Sequence, residues 1–255
     1  MFYYDDGSGV SLGDANLLYE LTGAHWADRV SVADGVTMPQ SYPCSQVDME
    51  LTHQCLPSYR GYKKRAPRLY IRCGEHRGRH AVCALDAIPK GTIVTEYLGQ
   101  WVGSADIRSN YRWGPIDGLH MRNYGGMVED GFPNVAAIYL YNIDDIPLRI
   151  VFVAVEEIAA GEMVTVHYGM NHSVKILCHE EYRLQAMVRF FSANPLDKMV
   201  TRIVALRGMT ASEKRWKHCL ELENLVVKLR YLFQTPGALM RLMLDGVIAP
   251  ELAFR

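Results

Sequence analysis

Ala160-Gly161-Glu162-Met163-Val164-Thr165-Val166-His167-Tyr168-Gly169 closes a β-rich region with a tyrosine displayed beside a glycine. Two earlier stretches stand at distances that give this tyrosine partners. One is Lys90-Gly91-Thr92-Ile93-Val94-Thr95-Glu96-Tyr97-Leu98-Gly99. The other runs from Ile116-Asp117-Gly118 through Arg122-Asn123 to Phe132-Pro133-Asn134. Each is weak alone; their order and spacing carry the reading.

Around these stretches the chain reads as three zones, 1–65, 66–170 and 171–255. The first is an N-terminal extension, with a short helical patch at Asn16–Leu21 ended by Gly23 and loop sequence from there to Tyr62. In the second, Leu69–Ile71, His80–Ala84, Thr92–Leu98, Val135–Tyr141 and Leu148–Val155 have the β-branched and aromatic content of strands. Gly, Asn, Asp and Pro clusters between them predict several small sheets rather than one wound sheet. After Gly169 the period turns helical. Helices are expected over Leu177–Phe191 and Asp197–Leu206, and a third opens at the Thr210–Glu213 capping-box spacing. In that third helix Trp216, Leu220, Leu225, Val226, Leu229 and Leu232 share a stripe. A last helix begins at Pro236 and ends near Gly246. The expected class is mixed α+β with a helical C-terminal region.

Composition bounds the function. No apolar run reaches the ~20 residues of a membrane helix, and Met1–Asp6 lacks the basic start and apolar run of a secretory signal. No two of Cys44, Cys55, Cys73, Cys83, Cys178 and Cys219 have zinc-knuckle spacing, so no metal site is expected. Reduced thiols in an intracellular setting are the better reading. Residues 1–59 carry eight acids against Arg29 alone, and residues 60–79 carry eight bases against Glu75 alone. The basic run could track phosphates or act as a nuclear-entry signal. A net charge of −1 favours the other account, in which the acidic N-terminal segment covers it and nucleic acid is not a partner.

The β zone resembles the SET domain of protein lysine methyltransferases over about Gly78 to Gly169. The family order opens on G-x-G-V-x-A, here Arg79-His80-Ala81-Val82-Cys83-Ala84. It continues with I-x-x-G-x-x-I-x-E-Y-x-G-E, here Ile88 to Gln100, and an aromatic matched by Tyr111. I-D-A-x-x-x-G-N falls on Ile116-Asp117-Gly118 with Asn123 at its spacing, and R-F-I-N-H-S-x-P-N on Gly126 to Asn134. A-G-E-E-L-T-Y-D-Y-G falls on Ala160 to Gly169. The resemblance implies a SET-type fold and methylation of lysine on a protein substrate, histones among the candidates, from S-adenosylmethionine. It makes Tyr168 the catalytic tyrosine and Tyr97 a wall of the lysine channel. Arg79, His80, Ala81, Tyr111, Glu129 and Asp130 fall on the cofactor side.

Lysine has a pKa of about 10.4 in water. A narrow aromatic channel disfavours its ammonium form and holds nitrogen, methyl carbon and sulfur in line. The cofactor side departs from the family. Glu129-Asp130 replaces Asn-His, Gly126 stands where an arginine is usual, and Arg79-His80-Ala81 replaces G-x-G. Glu129 would repel the cofactor's carboxylate, and Arg79 is the cation expected to answer it. These departures leave a second reading, a catalytically silent SET-like scaffold that binds a protein partner. Tyr182, Phe190 and Phe191 are the aromatics expected to close the channel. His80, His120 and His167 have no ligand spacing.

Overall fold

The β-branched and aromatic runs fold as strands, and their neighbours in the sheets come from far along the chain. The computed structural model describes residues 1–74, 79–103, 109, 111–168, 181–210, 212–234 and 236–248. The architecture is mixed α+β, with five small sheets among the described residues. The chain forms two compact units, one of residues 1–129 and 137–164, the other of residues 130–136 and 165–255.

In the first unit β1 (Phe2–Asp5) and β2 (Val10–Gly13) form an antiparallel pair. β1 lies parallel to β5 (Leu69–Gly74), which pairs antiparallel with β6 (Arg79–Ala84). A second sheet runs β4 (Ser31–Val32), β8 (Gln100–Trp101), β10 (Ile116–Asp117), β9 (Arg112–Trp113). β3 (His25–Trp26) pairs with β11 (Met121–Arg122). The long strands β13 (Val135–Ile143) and β14 (Ile146–Ala154) continue into β7 (Ile93–Glu96). β14 is buried along almost its whole length, which explains its near-continuous apolar run.

α1 (Ala15–Thr22) stops at Gly23, whose positive φ of 68° suits a residue without Cβ. The loop expected as far as Tyr62 instead contains α2 (Gln46–Lys64). Pro57 and Gly61 speak against a helix there, since an internal proline costs about 3 kcal/mol. Two features outweigh them. Ser45 and Asp48 form a reciprocal capping box, and Thr52, Cys55 and Tyr59 bury one helical face. Burial also pushes the Cys55 thiol up to about 12, so it stays a protonated packing group. Part of the basic stretch lies beside the acidic N-terminal segment, since β1 and β5 pair with Asp5 opposite Arg72, and two of its bases find carboxylates elsewhere in the chain. Lys63 pairs with Glu96, and Arg68 grips Asp86 through two bonds of 2.7 Å.

The second unit holds four described helices: α3 (Glu181–Ala193), α4 (Leu196–Gly208), α5 (Trp216–Gln234) and α6 (Pro236–Leu244). β15 (Thr165–Val166) pairs with β12 (Glu129–Asp130). Residues 177–180 of the expected first helix lie outside the described residues. Only half of the Thr210–Glu213 box forms, the Glu213 carboxylate accepting from the Thr210 N–H at 2.8 Å and from its hydroxyl at 2.7 Å, and α5 does not start there. The Glu213 and Lys214 N–H groups both turn back to the Thr210 carbonyl. The Arg215 carbonyl then receives the first bonds of α5, from His218 and Cys219. Phe132, Phe191, Tyr231 and Leu232 lie in the core of this unit, joined by Leu225 of the expected stripe. Lys228 is fully buried there, its ammonium 4.1 Å from the Phe190 ring centre and 5.0 Å from that of Phe132.

Candidate functional site

Tyr97 follows the last residue of β7, and three sets of bonds fix that strand end. The Glu96 carboxylate is buried and receives Arg149 at 2.8 Å, Lys63 at 3.1 Å and the Tyr59 hydroxyl at 3.1 Å. The Glu96 N–H donates to the Tyr62 hydroxyl, and the Tyr97 N–H to the Ile150 carbonyl at 2.7 Å. Asn123 clamps the same backbone from the other side, its amide donating to the Glu96 carbonyl at 2.8 Å and accepting from the Leu98 N–H at 3.2 Å. The motif's Glu96 and Asn123 thus hold Tyr97 by holding its neighbours.

Close backbone crossings complete this frame. A Cβ on Gly125 would stand 2.3 Å from the Glu96 carbonyl oxygen, and one on Gly99 2.3 Å from that of Asp117. Backbone cannot yield there as a flexible side chain can. Gly125→Ala is expected to lower stability by about 2–3 kcal/mol. Gly61→Ala, in open space on α2, is expected to raise it by about 0.5–1 kcal/mol. Denaturant midpoints for the two variants test the contrast; equal shifts would refute it.

The Tyr97 ring is 4% exposed and packs near Trp113 and Phe152, with ring centres 6.0 and 6.3 Å away. Its hydroxyl donates to the Tyr111 carbonyl, which also accepts the Gly118 N–H at 2.8 Å. Burial, and then the negative charge of Asp117, push this phenol well above its ordinary range, so it remains a neutral donor. Tyr111 is 39% exposed. The Arg122 guanidinium lies over its ring, 3.9 Å from the centre. Tyr97, Tyr111 and Arg122 therefore form one cluster.

The remaining expected residues occupy other places. Ala81 is buried in β6 opposite Arg72. His80 places Nε2 2.8 Å from the Leu21 carbonyl, while its buried Nδ1 has no hydrogen-bond partner. The Arg79 side chain lies outside the described residues. In the second unit Asp130 is buried and accepts the Tyr168 N–H at 3.0 Å. Asn134 brackets Thr165 with backbone and side-chain bonds of 3.1 and 2.9 Å, and the Thr165 hydroxyl donates to the Phe132 carbonyl at 2.6 Å. This lacing sets the backbone on which half-buried Tyr168 stands; Glu129 is likewise half-buried. Phe191 is core, Phe190 is half-buried, and the Tyr182 side chain lies outside the described residues.

Three contributors escape a reading of the sequence: Tyr59, Arg149 and Arg122. Arg149 alone had a signal, being a charge inside the apolar run Leu148–Val155. Among the described residues no group of three His, Cys, Asp or Glu could hold a metal ion, and no helix is long and apolar enough to cross a membrane.

No family model matches the chain, and no curated protein does. Among solved structures it is similar to KRYPTONITE in complex with mCHH DNA, a histone H3 peptide and SAH, at 17% identity and a TM-score of 0.46, over 58% of this chain and 42% of that one. It is similar to ATXR5 in complex with mono-methylated histone H3.1, at 20% identity and a TM-score of 0.44, over 62% of this chain and 87% of that one. A third similarity is to the methyltransferase domain of human histone-lysine N-methyltransferase SETMAR, at 21% identity and a TM-score of 0.33, over 42% of this chain and 48% of that one. The chain spans less than half the length of KRYPTONITE.

Proposed function

We propose that the chain transfers a methyl group from S-adenosylmethionine to a lysine side chain of a protein, histones being the first substrates to test. In this reading residues 66–170 form a SET-like domain between the 1–65 extension and the 171–255 helical region. The observation that carries it is the buried, neutral Tyr97 with its hydroxyl fixed on Tyr111, at the motif position that the resemblance gives to the channel wall.

The residues present fit the cofactor. Arg122 is a buried guanidinium with an unsatisfied Nε, and His80 has a buried, unsatisfied Nδ1. A ligand end that carries a carboxylate beside an amino group would satisfy groups of both kinds. When bound, S-adenosylmethionine supplies a methyl carbon made electrophilic by its sulfonium. The chain's own part is to present a neutral amine. The apolar surroundings of Tyr97, Trp113 and Phe152 disfavour an ammonium ion. The Tyr168 hydroxyl, the catalytic group of this reading, orients the amine lone pair toward the methyl carbon. Asp130 is a positioning residue, holding the Tyr168 backbone through its N–H.

Titration calorimetry with S-adenosylmethionine, followed by radiolabelled methyl transfer to histones and mixed protein extracts, tests the proposal. Binding and label on lysine are expected. Absence of binding at millimolar cofactor would sink it and leave the silent scaffold.

A further inference from the structure

Arg122 is a buried charge, 5% exposed, and among the described residues no carboxylate stands within ion-pair distance of it. Arg149 shows the ordinary solution, a buried guanidinium held against a carboxylate at 2.8 Å. Both hydrogen bonds of Arg122 leave from Nη2, one to the Leu119 carbonyl at 3.1 Å and a long one to the Thr22 carbonyl at 3.4 Å. Nε is buried and has no acceptor. Taking a guanidinium out of water is costly, and buried charges are normally paired. The carbonyl end of α1 offsets part of that cost through its partial negative charge. It leaves a full cation with unused donors.

The side chain is also held in place. Its charged plane lies on the Tyr111 ring, and its stem passes Gly126, where an added Cβ would come 2.7 Å from the Arg122 Cβ. Gly126 thus leaves the volume that the Arg122 stem fills. The second unsatisfied group, His80 Nδ1, belongs to a ring whose Nε2 meets the Leu21 carbonyl. Leu21 and Thr22 are consecutive, so both groups converge on the last turn of α1.

We propose that Arg122, stacked on Tyr111, is the cation that holds the carboxylate at the amino-acid end of the methyl donor, with His80 supplying a neighbouring hydrogen bond. This rests on the methyltransferase reading above. A carboxylate gives Arg122 an ion-pair partner, which it lacks among the described residues, and gives its unused N–H groups their acceptors. Arg122 then does what Glu129 cannot, since a glutamate repels that group.

The test is calorimetry on the full chain with S-adenosylhomocysteine and with its decarboxylated analogue. The unmodified chain is expected to bind the carboxylate form at least about tenfold more tightly, as a charge-assisted bond requires. In Arg122→Gln the ratio is expected to fall to near one, while Arg122→Lys keeps part of it. Each ratio is taken within one variant, so a lower folded fraction cancels, and thermal unfolding shows whether the variant folds. An unchanged ratio in Arg122→Gln, or equal binding of both compounds by the unmodified chain, overturns the role of Arg122 and leaves the methyl-donor reading standing. Failure of the unmodified chain to bind either compound removes that reading and the inference with it.

Discussion

Glu96→Ala is expected to destabilise the first unit by about 3–5 kcal/mol, the range for breaking a buried ion pair by removing one partner. The cost lies with Arg149 more than with Lys63. The Arg149 side chain is only 10% exposed and stays behind as an uncompensated cation, whereas that of Lys63 is 45% exposed and can return to water. The Tyr59 hydroxyl loses its acceptor as well. Arg149→Met alone should cost a similar amount, because it leaves the Glu96 carboxylate buried with Lys63 at its edge. The double variant Glu96→Met with Arg149→Met should recover much of the loss, giving a coupling of at least about 2 kcal/mol. Denaturant unfolding of the four proteins measures this. Additive losses would mean that the pair is not a unit, and a loss below about 1 kcal/mol in Glu96→Ala would place it among weak surface bridges.

That network shows where a sequence stops being legible. Strands such as Leu148–Val155 announce themselves through local composition, and α1 through its Gly23 stop. α2 does not, because Pro57 and Gly61 lower its local propensity and only the burial of Thr52, Cys55 and Tyr59 restores it. The same holds for the site. Tyr97, Tyr111, Asp130 and Tyr168 are candidates that motif spacing alone proposes. Arg122 and Arg149 are ordinary arginines until the chain brings Thr22 to one and Glu96 to the other, across 100 and 53 residues. Burial of a charge is a property of packing, and no periodicity encodes it.

Tyr168 and Tyr97 should respond differently to loss of their hydroxyls, although both are motif tyrosines. The Tyr97 hydroxyl is committed to the Tyr111 carbonyl, which retains the Gly118 N–H when the phenol is removed. Tyr97→Phe is therefore expected to cost about 1 kcal/mol of stability, the net worth of one hydrogen bond, with a modest fall in rate. Tyr168→Phe is expected to lower kcat about a hundredfold, the scale at which a misplaced reacting group slows transfer. KM for the substrate and affinity for the cofactor should hardly change. The backbone support of Tyr168 gives an internal control. Asp130→Asn keeps a side-chain oxygen for the Tyr168 N–H and should retain most activity, whereas Asp130→Ala removes it and should lose activity toward the Tyr168→Phe level. Initial rates of labelled methyl transfer at saturating cofactor separate these outcomes. Full activity in Tyr168→Phe would refute its catalytic role, and equal activity in the two Asp130 variants would show that the backbone bond does not position it.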